Sequence, residues 1–92
     1  MSYYIYVLYS EKHKIYYKGF TEDISKRLHE HNHDLGRFTA GKGPWQLIIV
    51  EEYPTKREAL IREKAIKKCK AEYFEWLRKQ PTNIAAKFTE VG

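Results

Sequence analysis

The sequence has little of what marks an extracellular, fibrous or membrane-bound chain. It holds one cysteine, Cys69, so no internal disulfide can form, and no Cys/His spacing around it suits zinc. The longest uninterrupted apolar run, Tyr3 to Tyr9, is far short of the roughly 20 residues needed to span a bilayer, which excludes a transmembrane segment. No charged start with an apolar stretch and a small-residue cleavage site opens the chain, so the expected location is the cytoplasm. There is no internal repeat and no low-complexity segment. No glycine-rich phosphate loop follows a strand into a helix, and no Ser/His/Asp arrangement suggests itself.

What is present is an ordinary globular composition in 92 residues, 42% hydrophobic and 32% charged, which fits a single domain. Seventeen Lys and Arg against twelve Asp and Glu give a net charge of +5 and make polyanions such as nucleic acid the first partners to consider. The excess is spread over both halves, so there is no basic tail. Its one concentration is Arg62 to Lys70, where five basic residues accompany only Glu63.

Aromatic and β-branched residues in Tyr3–Tyr9 predict a strand, and Ile15–Gly19 repeats the pattern after a short polar stretch. The two should form an antiparallel hairpin. A turn centred on Glu11 and Lys12 places Tyr6 across from Tyr17, with Gly19 closing the second strand. Thr21 or Asp23 can cap a helix over 23–33 that packs through Ile24, Leu28 and Leu35. The stretch 34–44, with Gly36, Gly41, Gly43 and Pro44, reads as an exposed and mobile loop into a third strand, Gln46 to Tyr53. Thr55 to Glu58 fits a capping box, and a helix follows in which Ala59, Ile66, Cys69 and Tyr73 share a sector. Arg62 intrudes on that sector. Glu63 sits at its flank, where a carboxylate needs a cation, a donor or a metal. Ala71 to Gln80 continues with Phe74, Trp76 and Leu77 for packing. The expectation is an α+β domain over 1–80, a small three-stranded antiparallel sheet flanked by helices in the order β-β-α-β-α-α, with 81–92 as a C-terminal tail.

Tyr4-Ile5-Tyr6, then Tyr17-Lys18-Gly19, then Arg27 eight residues beyond the glycine, together resemble the GIY-YIG nuclease domain. The resemblance continues through His31-Asn32, the loop Thr39 to Trp45, and Glu63 to Lys67, and is nearest to the small stand-alone bacterial proteins built from this domain. It implies a metal-dependent endonuclease hydrolysing phosphodiester bonds in DNA, with a role in repair or recombination. By the same resemblance Tyr6 is a candidate general base and Arg27 a holder of phosphate oxygens. A tyrosine is mostly protonated at neutral pH, so it needs a cationic neighbour or a relay, which Tyr17 with His31 or Lys18 can supply. Glu63 matches the glutamate that binds one divalent cation, Mg or Mn. Lys64, Lys67, Lys68 and Lys70, with Lys18, form the expected nucleic-acid-binding set. The chain departs from the pattern in placing Tyr4 for the first glycine, Lys18 in the middle of the second motif, and Phe20 where several family nucleases carry a lysine. The alternative is a non-catalytic nucleic-acid-binding module of the same fold, or one recruited by a protein partner for targeting. A monomer is the starting expectation.

Overall fold

The computed structural model describes residues 2–33, 35 and 38–89. The elements are β1 (Tyr3–Ser10), β2 (Ile15–Thr21), α1 (Ile24–Asn32), β3 (Gln46–Tyr53), α2 (Lys56–Ile66), α3 (Ala71–Arg78) and a short α4 (Ala86–Thr89). The fold is α+β, and through α3 the order is the expected one. The strands form one antiparallel sheet in the order β2-β1-β3. The most apolar run of the sequence is therefore the central strand. Ile5, Tyr6, Val7 and Leu8 are all buried, because helices cover both faces of the sheet and leave β1 no solvent side.

On one face, Ile5, Val7 and Ile49 pack against Ala59 and Ile66 of α2 and Phe74 and Leu77 of α3. On the other, Tyr6, Leu8, Leu47 and Val50 meet Ile24 of α1, Trp45 and Ala85. Arg62, which breaks the apolar sector of α2, reaches the buried Glu51 of β3 through two bonds of 2.9 and 3.2 Å and donates to the Tyr73 hydroxyl at 2.8 Å. A charge that is misplaced in a helical wheel is thus paired across the layers, as a buried carboxylate requires.

Several expectations are corrected. The hairpin turn uses four residues, Glu11 to Lys14, with Lys14 at φ 56°, so the register is two residues from the expected one. Tyr6 opposes Gly19 and Tyr17 opposes Leu8. A shift of two preserves the faces, and Tyr6 and Tyr17 remain diagonal neighbours with ring centroids 6.3 Å apart. Gly19 is interior to β2, which runs on to Thr21. Leu35 and Trp76, expected to pack, are 68% and 55% exposed. The long helical stretch is broken between Ile66 and Ala71. Asp23 caps α1 by accepting from Lys26 N–H at 3.0 Å. At α2 the capping box is half formed: Thr55 accepts from Glu58 N–H, while the Glu58 carboxylate accepts from the Thr55 hydroxyl. The loop before β3 is not wholly exposed, since Thr39 is fully buried. Gly36 of that loop and the last residues, 90–92, lie outside the described residues.

Residues 81–89, read as a tail, lie against the sheet. Asn83 is the anchor: its Oδ1 accepts from Val50 N–H at 3.0 Å, and its Nδ2 donates to the Ile48 and Arg78 carbonyls at 2.9 and 3.0 Å. Ile84 N–H then donates to the Val50 carbonyl at 2.9 Å. Among the described residues no helix is long and apolar enough to cross a membrane.

Candidate active site

Tyr6 lies at the middle of the central strand, and its ring leans over Gly19 of β2, the one residue type that leaves room for it. The hydroxyl ends 2.9 Å from Nε2 of His31 on α1, and Nδ1 of the same ring lies 2.6 Å from Oγ1 of Thr39. All three side chains are buried. Burial, and secondarily the neighbouring Tyr17, push the Tyr6 hydroxyl pKa well above the ordinary tyrosine value, with Arg27 opposing and Glu63 adding to the rise. Burial, then the Arg27 charge, lower the His31 pKa, against a smaller opposing effect of Glu30. At neutral pH Tyr6 thus keeps its proton and His31 is uncharged. In one arrangement Tyr6 O–H donates to Nε2 while Nδ1–H donates to the Thr39 oxygen; the other tautomer reverses both bonds.

Around this chain the sequence-predicted residues fall into two groups. Tyr17 is in ring contact with it, 4.9 Å from His31 between centroids, and stacks on the exposed Phe38 at 5.7 Å and 27°. Arg27 sits one turn before His31 on α1 with its side chain 46% exposed and Glu30 at 3.4 Å, free enough to turn toward an anion. Glu63, on the inner flank of α2, is 18% exposed and 3.7 Å from Lys67. Both of these charges act on the Tyr6 hydroxyl, from opposite signs.

The five lysines do not form one surface. Lys18 and Lys67 line a groove of ≈ 360 Å³ along β2 together with Tyr16, Tyr17 and Phe38. Lys18 otherwise points to the face opposite Tyr17, its Nζ 5.7 Å from the Phe74 ring. Lys64 stands on the outer side of α2 with Lys56, Arg57, Leu60 and Ile61. Lys68 and Lys70 are exposed in the link between α2 and α3. Phe20 is turned away and stacks with Tyr3 at 6.3 Å.

Two residues that the resemblance spans are given no role by the sequence. Thr39 is the second partner of His31, and Asn32 clamps the loop end by accepting from Trp45 N–H at 2.7 Å and donating to Trp45 C=O at 3.3 Å. The Trp45 indole in turn donates to the Thr39 carbonyl at 3.1 Å, so it is a core residue that holds Thr39 in place. A threonine inside a glycine-containing loop carries no periodic signal that would mark it.

Among the described residues there is no group of three or more His, Cys, Asp or Glu side chains that could enclose a metal ion. A single partly exposed carboxylate, paired only with an exposed lysine, fits a small hard cation that keeps several waters and takes further oxygens from phosphate. Glu63 is the residue that would hold it.

Residues 2–83 match the family model described as the GIY-YIG catalytic domain. A UPF0213 protein of Clostridium perfringens is 39% identical over 66 residues, covering 71% of this chain and 70% of that protein. Another UPF0213 protein, from Bacillus velezensis, is 34% identical over 91 residues, covering 94% of this chain and 91% of its relative. The solution NMR structure of a UPF0213 protein from Bacillus halodurans is similar over 100% of this chain and 98% of that one, with a TM-score of 0.56 and 26% identity.

Proposed function

Because the chain belongs to the GIY-YIG catalytic domain family, a nuclease family, we propose that it is a metal-dependent endonuclease hydrolysing phosphodiester bonds in DNA, acting in repair or recombination. The observation that carries this reading is the buried Tyr6–His31–Thr39 chain, ringed by Tyr17 and flanked by one cation and one carboxylate. A tyrosine that holds its proton so firmly is a poor base by itself. It becomes a useful one if its proton can leave as another arrives, and His31 is the acceptor in place. Water attacking phosphorus gives its proton to the Tyr6 oxygen while the Tyr6 proton passes to Nε2. In the tautomer with Nε2 free to accept, Thr39 takes the Nδ1–H bond and holds the imidazole in place. Arg27 holds two phosphate oxygens in a fork and offsets the charge that builds on them. A divalent cation held by Glu63 would stabilise charge on the leaving oxygen. Lys18 and Lys67 place the backbone along β2, and the remaining lysines add affinity without reading bases.

A second reading, a binding module without turnover, is favoured by Phe20, which is turned away from Tyr6 and leaves no lysine at that position. One experiment separates the two. Purified wild type, Glu63→Ala and Tyr6→Phe are incubated with single-stranded, duplex and branched DNA, with Mn or Mg against EDTA. The nuclease reading expects metal-dependent nicking that is lost in Glu63→Ala and falls at least roughly a hundredfold in Tyr6→Phe, the scale of acid–base catalysis. Salt-sensitive binding without product in wild type would establish the module instead.

A further inference from the structure

The sheet has two outer edges, and the candidate active site lies toward the one formed by β2. The other edge is β3. Its outward main-chain groups can be followed residue by residue. Asn83 and Ile84 bond the Val50 N–H and C=O, and Asn83 also bonds the Ile48 carbonyl. In an antiparallel strand the outward pairs alternate, so the next belongs to Glu52, which opposes Tyr4 on the β1 side. Among the described residues nothing bonds that N–H and C=O from outside the sheet, and the exposed Glu52 carboxylate makes no ion pair.

Beside Glu52 is a concavity of ≈ 710 Å³. Its floor is already satisfied: Arg62 is bonded to Glu51 and to the Tyr73 hydroxyl, and the Tyr53 hydroxyl donates to Glu51 at 2.8 Å. Its wall is Tyr73 and Trp76, with ring centroids 5.6 Å apart. Trp76 is the exposed member of this pair. An open stretch of strand edge, an unpaired carboxylate and an exposed tryptophan thus meet at one place.

We propose that this segment of β3 is the docking edge for an extended segment of a partner protein, with a lysine or arginine opposite Glu52 and an apolar residue on either side of it. The pattern follows from strand geometry. A residue directly across from Glu52 shares its face, where opposite charges attract and like charges repel. Its chain neighbours point to the face of Glu51, which is the α3 side, and come to rest on Trp76 and Tyr73. Main-chain bonds to Glu52 supply affinity and the alternating side chains supply selectivity, as in other strand additions. Nucleic acid is disfavoured because the free charge here is negative. A second copy paired edge to edge about Glu52 would set two glutamates against each other. The docked segment leaves the β2 side open, and the proposal does not depend on turnover at Tyr6.

The test uses the ¹⁵N-labelled full chain titrated with two capped peptides, Thr-Val-Lys-Val-Thr and Thr-Val-Glu-Val-Thr, and read by amide and indole NMR shifts. The expected result is a saturable shift of the Glu52 amide and the Trp76 indole with the lysine peptide, about five- to tenfold weaker binding of the glutamate peptide, and reversal of that preference in Glu52→Lys. Trp76→Ala, an exposed position, should weaken the lysine peptide about tenfold. Methylation of the peptide's central main-chain nitrogen, the one that faces the Glu52 carbonyl, should abolish binding. No saturable shift at Glu52, equal response to both peptides, indifference to methylation, or concentration-dependent shifts at Glu52 without peptide would each overturn the proposal, the last in favour of self-association.

Discussion

Gly19 shows how narrowly one side chain is placed. A Cβ added there would stand 2.5 Å from both Cζ and the hydroxyl oxygen of Tyr6, so Gly19→Ala must displace the ring from His31. The expected outcome is a loss of about 1–3 kcal/mol in denaturant unfolding, the usual scale of overpacking, together with a fall in cleavage comparable to that of Tyr6→Phe. Full cleavage by Gly19→Ala would contradict the placement of Tyr6 as base. His31 gives a pH prediction. Its folded pKa is lowered below the ordinary 6.5, so its contribution to stability is fully present above that value and is lost as pH falls toward the lowered one. The melting temperature of the wild type should drop on acidification below about 6.5, and that of His31→Gln should drop less. Cleavage should fall over the same range, because a protonated imidazole cannot accept from Tyr6. At this scale the resemblance to the GIY-YIG domain named Tyr6, Tyr17, His31, Arg27 and Glu63 as candidates, and the fold brings Tyr6, Tyr17 and His31 into contact. The resemblance gave no role to Thr39, whose role depends on a fold contact eight residues from its partner in a loop.

The elements were legible where periodicity governs them and less so where a single side chain does. β1, β2, α1 and β3 follow from apolar runs and caps, whereas the hairpin register depended on how many residues the turn takes up, which the polar stretch Ser10 to Lys14 leaves open. The packing of 81–89 had no pattern to announce it, because it is anchored by one asparagine. Asn83 accepts from Val50 and Ala85 and donates to Ile48 and Arg78, joining β3, α3 and the start of α4. Removing it leaves sheet-edge groups without partners. Asn83→Ala should therefore cost about 2–3 kcal/mol in thermal or denaturant unfolding, more than an ordinary surface substitution, and expose Phe88 and Ile84 to solvent. A change within about 0.5 kcal/mol would show that these bonds are replaced by water at no cost.

For the whole molecule, the division of charge decides how it meets a polyanion. Lys18 and Lys67 share the groove beside Tyr17, Arg27 is on the neighbouring helix, and Glu51 and Glu52 mark the far edge. Contact with about four phosphates predicts that DNA affinity falls roughly a hundredfold between 50 and 200 mM salt. Lys67→Ala should lower both the affinity and the slope of that plot, while Lys64→Ala, on the outer side of α2, should alter them less. Equal effects of the two would mean that the backbone crosses α2 rather than β2.

The Asn32 clamp on Trp45 has its own consequence for how the site survives in time. Tyr6 is woven into the central strand, so its amide hydrogen should exchange with solvent only when the entire domain opens. Thr39 is held through a short loop closed by a few hydrogen bonds, and its surroundings should exchange by a smaller, local opening. An opening of that kind should separate Thr39 from His31 while leaving the sheet intact. On the mechanism proposed above, cleavage should therefore scale with the fraction of time this loop is closed.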